Sequence, residues 1–132
     1  MSQKILIADD TLFMRVTLKN ILTNVGYQNI LQAENGKEAF EKYAAHTPDL
    51  VLMDITMPVM DGISATKAIK ARFPDARIVM CTAMGQKNIV IEAIQAGAKD
   101  FIVKPFASEK VIESVHRQIG PPIVDASEVK AA

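Results

Sequence analysis

The sequence predicts an α/β fold, a single doubly wound domain in which helices cover both faces of a five-stranded parallel sheet. Three observations predict it. Short apolar runs alternate along the chain with longer segments of helical periodicity. Most of the runs are continuously apolar, as strands covered on both faces are. Each βα unit spans about two dozen residues, enough for the helical crossover that parallel strands need, and right-handed crossovers then distribute the helices over the sheet.

The predicted strands are Ile5-Leu6-Ile7-Ala8, Ile30-Leu31-Gln32-Ala33, Leu50-Val51-Leu52-Met53, Ile78-Val79-Met80-Cys81 and Phe101-Ile102-Val103. Between them, Met14, Leu18, Ile21, Leu22 and Val25 fall at i, i+4, i+7, i+8 and i+11, one helical stripe. Ala39, Phe40, Tyr43 and Ala44 repeat the pattern, as do Ala65, Ile69 and Phe73, and finally Val111, Ile112, Val115 and Ile119. Asn35 with Glu38 reads as a capping box at the second helix. Gly26 and Gly97 stand where the first and fourth helices should end. Pro48-Asp49 and Pro74-Asp75 mark turns before the third and fourth strands. Gly120-Pro121-Pro122 stops the last helix. The expected organisation is a domain over 1–119 and a flexible tail over 120–132, too short for a further domain.

Composition narrows the function. The chain has 132 residues, with 15 Lys plus Arg against 15 Asp plus Glu, so its formal net charge is zero. No global positive field exists to recruit nucleic acid or an anionic membrane. Apolar residues make up 49% and charged ones 23%, which argues against disorder. One cysteine allows no intrachain disulfide, and two histidines do not complete a common zinc site. No apolar run approaches the roughly 18 residues of a membrane span, and Ile5–Ala8 is too short for a signal-peptide core. The expectation is a cytoplasmic domain that binds neither membrane nor nucleic acid. Lys67, Lys70 and Arg72 are an ordinary solvated helix face.

Ligands of open α/β sheets bind beyond the carboxyl ends of the strands. Strand one runs into Asp9-Asp10, strand three into Asp54, strand four into Thr82 and strand five into Lys104-Pro105. Taken singly, each has a plain explanation. An acidic pair after a strand is commonly a turn at a helix N-terminus, and a lysine before proline is commonly solvated. Together they bring three carboxylates, a hydroxyl and an ammonium to one edge. Carboxylates packed together raise one another's pKa. A hard divalent cation relieves that repulsion, and Mg²⁺ favours oxygen ligands, few carboxylates and retained water. Such a site invites a phosphoryl group, toward which Lys104 offers a point charge and Thr82 a hydroxyl. A carboxylate there can act as nucleophile and form an acyl phosphate. Asp54, alone on the central strand, is the best candidate.

These residues resemble the receiver domain of two-component response regulators, most closely the stand-alone chemotaxis regulators of the CheY type. The matching pieces are Ile5–Asp10, Met53-Asp54-Ile55-Thr56-Met57-Pro58, Met60-Asp61-Gly62, Cys81-Thr82-Ala83-Met84-Gly85-Gln86 and Phe101–Phe106. They extend from about Lys4 to about Ile119. The resemblance implies a flavodoxin-like sheet of order 2-1-3-4-5 and a phosphorylation-activated switch rather than an enzyme. It implies Asp54 as phosphoacceptor. Mg²⁺ would be held by Asp10 directly, by Asp9 mainly through water, by Asp54, and by the backbone carbonyl of Thr56. It further implies Lys104 on a phosphoryl oxygen, Thr82 swinging toward the phosphoryl group, Phe101 moving inward behind it, and a cis Lys104-Pro105 peptide. The implied phosphodonor is a histidine kinase or a small molecule such as acetyl phosphate. The implied output is a protein such as a flagellar motor switch protein, bound by helix four, strand five and helix five, with a phosphatase to reset a monomeric switch. On helix four, Ile89, Val90, Ala93 and Ile94 form one stripe and Ile91 falls off it, leaving aliphatic surface for a partner.

Phe101 stands where some relatives have Tyr, so the ring brings no hydroxyl. Met84 and Thr56 stand where some relatives carry a charge or an amide near the hydrolytic water, so slow self-dephosphorylation is expected. The competing readings are a phosphorelay receiver or the receiver of a truncated transcription regulator, a small Mg²⁺-dependent phosphatase of the haloacid-dehalogenase type, and a flavin or nucleotide carrier of flavodoxin-like fold. The phosphatase would resemble an Asp-x-Asp at strand one, where this chain has Asp9-Asp10 with no spacer. The flavin carrier would need a phosphate loop after strand one, where those carboxylates repel phosphate. Cys81, inside an apolar strand, reads as a small core residue.

Overall fold

The computed structural model describes residues 2–83 and 87–123. The chain alternates β1 (Lys4–Ala8), α1 (Leu12–Asn24), β2 (Asn29–Ala33), α2 (Gly36–His46), β3 (Leu50–Asp54), α3 (Gly62–Arg72), β4 (Ile78–Ala83), α4 (Lys87–Gln95), β5 (Asp100–Lys104) and α5 (Ser108–Ile119). The strands form one parallel sheet in the order β2-β1-β3-β4-β5. The predicted α/β architecture and the implied strand order are both present.

Side chains alternate across a strand, and the core divides accordingly. Leu6, Val51, Met53 and Met80 face one side and pack with Ala39, Tyr43, Ile63, Ile69 and Ala93 of α2, α3 and α4. Ile5, Ile7, Leu50, Leu52, Val79 and Cys81 face the other and pack with Leu18 and Leu22 of α1 and Val111 and Val115 of α5. This two-sided cover is why β1, β3 and β4 read as unbroken apolar runs. Each fully buried aliphatic side chain contributes about 1.5–3 kcal/mol, so the three central strands anchor the fold and tolerate unfavourable charge at their ends.

The two edge strands differ from that expectation. β2 is half-buried for four of its five residues. In β5, Phe101 and Val103 are exposed while Ile102 is buried. An edge strand has a neighbour on one side only, and here the outer face of β5 is open. Helix α4 also departs from its predicted stripe. Ala93 is buried and Ile89 packs on the core, but Ile94 is 51% exposed, like Ile91 at 56%. The core-facing side of α4 is therefore narrower than the sequence stripe.

Caps set the helix starts. Thr11 Oγ1 accepts from the Met14 N–H, Asn35 Oδ1 from the Glu38 N–H at 2.8 Å, and Asp61 Oδ1 from the Ser64 N–H at 2.7 Å. The first and fourth helices end at Gly26 (φ 113°) and Gly97 (φ 116°), in left-handed conformations that suit glycine. α5 ends at Gly120. Of the expected tail, residues 124–132 lie outside the described residues. Gly120–Ile123 runs back against the opposite, N-terminal edge of the sheet. There the Gln3 amide donates to Pro121 O at 2.9 Å and accepts from the Ile123 N–H at 3.0 Å, and Tyr27 donates its hydroxyl to Gly120 O at 2.5 Å. Burial pushes the Tyr27 hydroxyl up to about 12.

Two glycine amides hold the loop after β3. Gly62 N–H donates to Ile55 O at 2.8 Å, and Gly36 N–H donates to Met60 O at 2.8 Å. Between them Val59 has φ 69° and is 78% exposed. A β-branched residue in the left-handed region is strained. Val59→Asn is therefore expected to raise stability by about 1 kcal/mol, since Asn tolerates this conformation and little apolar burial is lost. Chemical denaturation checks it; a lower midpoint for the variant would overturn the assignment of strain.

Candidate functional site

Register brings the predicted polar residues together. Ala8 pairs with Met53, Asp54 with Cys81, and Ala83 with Lys104. The residues just beyond Ala8 therefore stand level with the ends of β3, β4 and β5. Asp54 and Lys104 are the last residues of their strands, and Thr82 lies just inside the end of β4. One carboxylate oxygen from each of Asp9, Asp10 and Asp54 lies within 4.8 Å of the others.

Asp9 is almost wholly buried. Its Oδ1 accepts from the Thr11 N–H at 2.9 Å and the Thr11 hydroxyl at 3.0 Å. Lys104 Nζ donates to its Oδ2 at 3.2 Å and stands 3.2 Å from Oδ1 of Asp54. Asp10 is exposed at the mouth of the cluster, and Asp54 is 7% exposed below it. Burial, then the Asp9 charge, raises the Asp54 pKa above the usual carboxylate value; Lys104 opposes the shift and Asp10 adds to it. Burial pulls the Lys104 ammonium down, but Asp54 and Asp9 outweigh it and its pKa rises. The ammonium therefore stays charged between two carboxylates. The cluster's three carboxylates and one ammonium leave a net negative, oxygen-rich pocket, the donor set that a hard cation such as Mg²⁺ fits.

The other predicted residues are arranged differently. Thr82 is buried, and its hydroxyl donates to Ala83 O at 3.3 Å. Thr56 is exposed in the loop two residues after Asp54. Phe101 lies three residues before Lys104 on β5 and is 41% exposed. Met84 lies outside the described residues, as do Gly85 and Gln86. The Lys104-Pro105 peptide is cis, as the resemblance implied. Cys81 is buried, and burial pushes its thiol up to about 12, which leaves it unreactive at neutral pH.

Sequence reasoning missed two residues that shape the pocket. Thr11 both caps α1 and holds the Asp9 carboxylate. A hydroxyl residue just before an apolar helical stripe was the available signal. Arg15 is 7% exposed, and its guanidinium donates to the Asp9 carbonyl at 2.8 Å. Nothing local marks an arginine inside a helix as buried.

Comparison with known proteins agrees with this geometry. The sequence profile described as "Response regulator receiver domain" matches residues 5–116. The chain is 56% identical over 119 residues to the chemotaxis protein CheY of Bacillus subtilis (strain 168), covering 90% of this chain and 99% of that protein. It is 54% identical over 117 residues to the chemotaxis protein CheY of Thermotoga maritima, covering 89% and 98%. Among solved structures, the CheX–CheY–BeF3–Mg complex from Borrelia burgdorferi superposes with a TM-score of 0.83 at 39% identity, covering 87% of each chain.

Proposed function

The chain belongs to the response regulator receiver domain family, and from that membership we propose that it is a chemotaxis switch phosphorylated on Asp54. It is a phosphorylation-activated response regulator, and proteins of this type are signalling switches. The observation that carries the assignment to Asp54 is its oxygen 3.2 Å from Lys104 Nζ, within 4.8 Å of the Asp9 and Asp10 carboxylates.

In this reading an Asp54 carboxylate oxygen attacks the phosphorus of a phosphohistidine on a kinase, or of acetyl phosphate. The new O–P bond forms as the P–N or P–O bond to the donor breaks, and the donor leaves as imidazole or acetate. Lys104 holds its proton and supplies positive charge to a phosphoryl oxygen. Asp9, Asp10 and Asp54, with the Thr56 carbonyl, would hold Mg²⁺. That ion would offset the charge of the carboxylates and of the incoming phosphoryl oxygens. Thr82 and Phe101 are the proposed switch residues, and the exposed Ile91, Ile94, Phe101 and Val103 form the α4 and β5 part of the proposed output surface.

The proposed upstream partner is a histidine kinase, the output partner a flagellar motor switch protein, and a phosphatase resets the monomeric switch in the cytoplasm. The two CheY relatives, matched over nearly their whole length, support chemotaxis over a phosphorelay role. No helix among the described residues is long and apolar enough to cross a membrane. Intact mass after incubation with acetyl phosphate tests the core of the reading. One phosphoryl group is expected with Mg²⁺ and none with a chelator. No gain from acetyl phosphate or from a phosphorylated kinase, in protein that binds Mg²⁺, would overturn it.

A further inference from the structure

Among the described residues, Arg15 is a buried cation that the phosphotransfer scheme does not use. Its side chain is 8% exposed. Helical side chains lean toward the helix N-terminus, so Arg15 on the second turn of α1 reaches back over the turn that leaves β1. Its Nη1 donates to the Asp9 carbonyl at 2.8 Å, and its Nε donates to Oε1 of Gln32 on β2 at 3.1 Å. Its Nη2 stands 3.6 Å from the exposed Glu34 carboxylate. Burying a guanidinium costs several kcal/mol unless its donors are used. An apolar side chain would fill this space without that cost. Two of its three contacts are to neutral oxygens, so ion pairing does not account for the charge.

The backbone contact has a geometric consequence. The Asp9–Asp10 peptide is a rigid plane. At the start of the turn the Asp9 N–H donates to Ala33 O at 3.0 Å. At its end the Arg15 Nη1 N–H holds the Asp9 carbonyl, which fixes the plane from which Asp10 departs. Asp9 itself is anchored by Thr11 and Lys104. Asp10 is exposed, and its aim depends on that plane.

We propose that Arg15 is a positioning residue for the divalent cation: by clamping the Asp9 carbonyl it aims the Asp10 carboxylate into the acidic pocket. This rests on the reading of that pocket as a Mg²⁺ site. Groups that orient metal ligands typically change metal affinity by about 10–100-fold when removed, which is the loss expected here. Arg15 has no part in the phosphotransfer scheme and meets Asp9 through its backbone carbonyl, so the expected defect lies in Mg²⁺ affinity and not in the maximal rate.

The test is Mg²⁺ titration calorimetry on wild type, Arg15→Lys, Arg15→Met and Gln32→Ala, each confirmed folded by circular dichroism. Phosphorylation by acetyl phosphate is measured alongside as a function of Mg²⁺ concentration. Lysine keeps the charge but not the fork. Both Arg15 variants are expected to bind Mg²⁺ at least about tenfold more weakly and to recover, at saturating Mg²⁺, a maximal rate within about twofold of wild type. Gln32→Ala loses the contact to β2 alone. It is expected to lower thermal stability while keeping Mg²⁺ affinity within about twofold. A folded Arg15→Lys protein with wild-type Mg²⁺ affinity would overturn the proposal, as would an equal affinity loss in Gln32→Ala or a lowered maximal rate. If Arg15→Met does not fold, Arg15→Lys decides. Failure of the wild type to bind Mg²⁺ would instead remove the cation reading, and this proposal with it.

Discussion

Asp54→Asn is expected to abolish phosphoryl incorporation while making the metal-free protein more stable. The first effect is chemical, because an amide oxygen does not form the acyl phosphate. The second follows from the direction of the Asp54 pKa. Burial and the Asp9 charge hold it above its ordinary value, so the folded state binds this proton more tightly than the unfolded chain does. Stability linked to this group is therefore greatest at low pH and declines as pH rises through the carboxyl's range. At neutral pH the ionised carboxylate costs free energy, and asparagine removes that cost. Lys104 keeps its 3.2 Å contact with Asp9 and is not orphaned. Desolvation and the Asp9 charge outweigh the attraction to Lys104, so a rise in Tm is expected when the charge is removed. Intact mass and thermal denaturation in chelator read the two effects separately. Retained phosphorylation would move the phosphoacceptor elsewhere; a lower Tm would mean that Asp54 serves the fold through its pairing with Lys104.

Gly62→Ala is expected to be the most damaging single-carbon change near the site. A Cβ on Gly62 would stand 2.1 Å from the Asp54 carbonyl oxygen and 2.9 Å from its carbonyl carbon. Both atoms are backbone at the end of β3 and do not rotate away as a side chain would. The Gly62 N–H also donates to Ile55 O at 2.8 Å, so α3 starts in direct contact with the strand end. Relief requires α3 to slide or the Asp54 peptide to move. Overpacking of this kind typically costs about 1–3 kcal/mol, and contact with fixed backbone puts it at the upper end. A fall of about 10 °C in Tm is expected, with slower phosphorylation because the displaced peptide carries Asp54. A Tm within about 2 °C of wild type would mean that the helix yields freely.

Much of this was legible in the residues. β1, β3 and β4 announce themselves because two layers of helices bury both faces of each. Asn35, Gly26 and Gly97 mark helix ends through short-range hydrogen bonds and backbone preference. The convergence of Asp9, Asp10, Asp54 and Lys104 follows from the alternation of strands and helices once the strands are parallel, since every strand then ends on the same edge. The edge strands were harder to read. Phe101 and Val103 are as apolar as the residues of β4, yet they are exposed, because nothing in a strand's own sequence says how many neighbours it will have. Ile94 failed on the same ground: a wide apolar stripe on α4 meets a narrow contact.

Arg15 and Gly62 lie beyond local reading. Arg15 looks like a polar position on an amphipathic helix, and its burial depends on β2 arriving alongside to present Gln32. Gly62 looks like a turn residue, and its need for a bare Cα comes from a carbonyl eight positions earlier in the chain. Periodicity, caps and turn residues act over a few residues, so the chain alone settles the elements and the edge at which its charged groups meet. Burial at the sheet's rim, the clamp on the Asp9 carbonyl and the closeness of α3 to Asp54 depend on surfaces distant in sequence meeting at van der Waals range. Those contacts exist only once the whole sheet is assembled and its layers are packed.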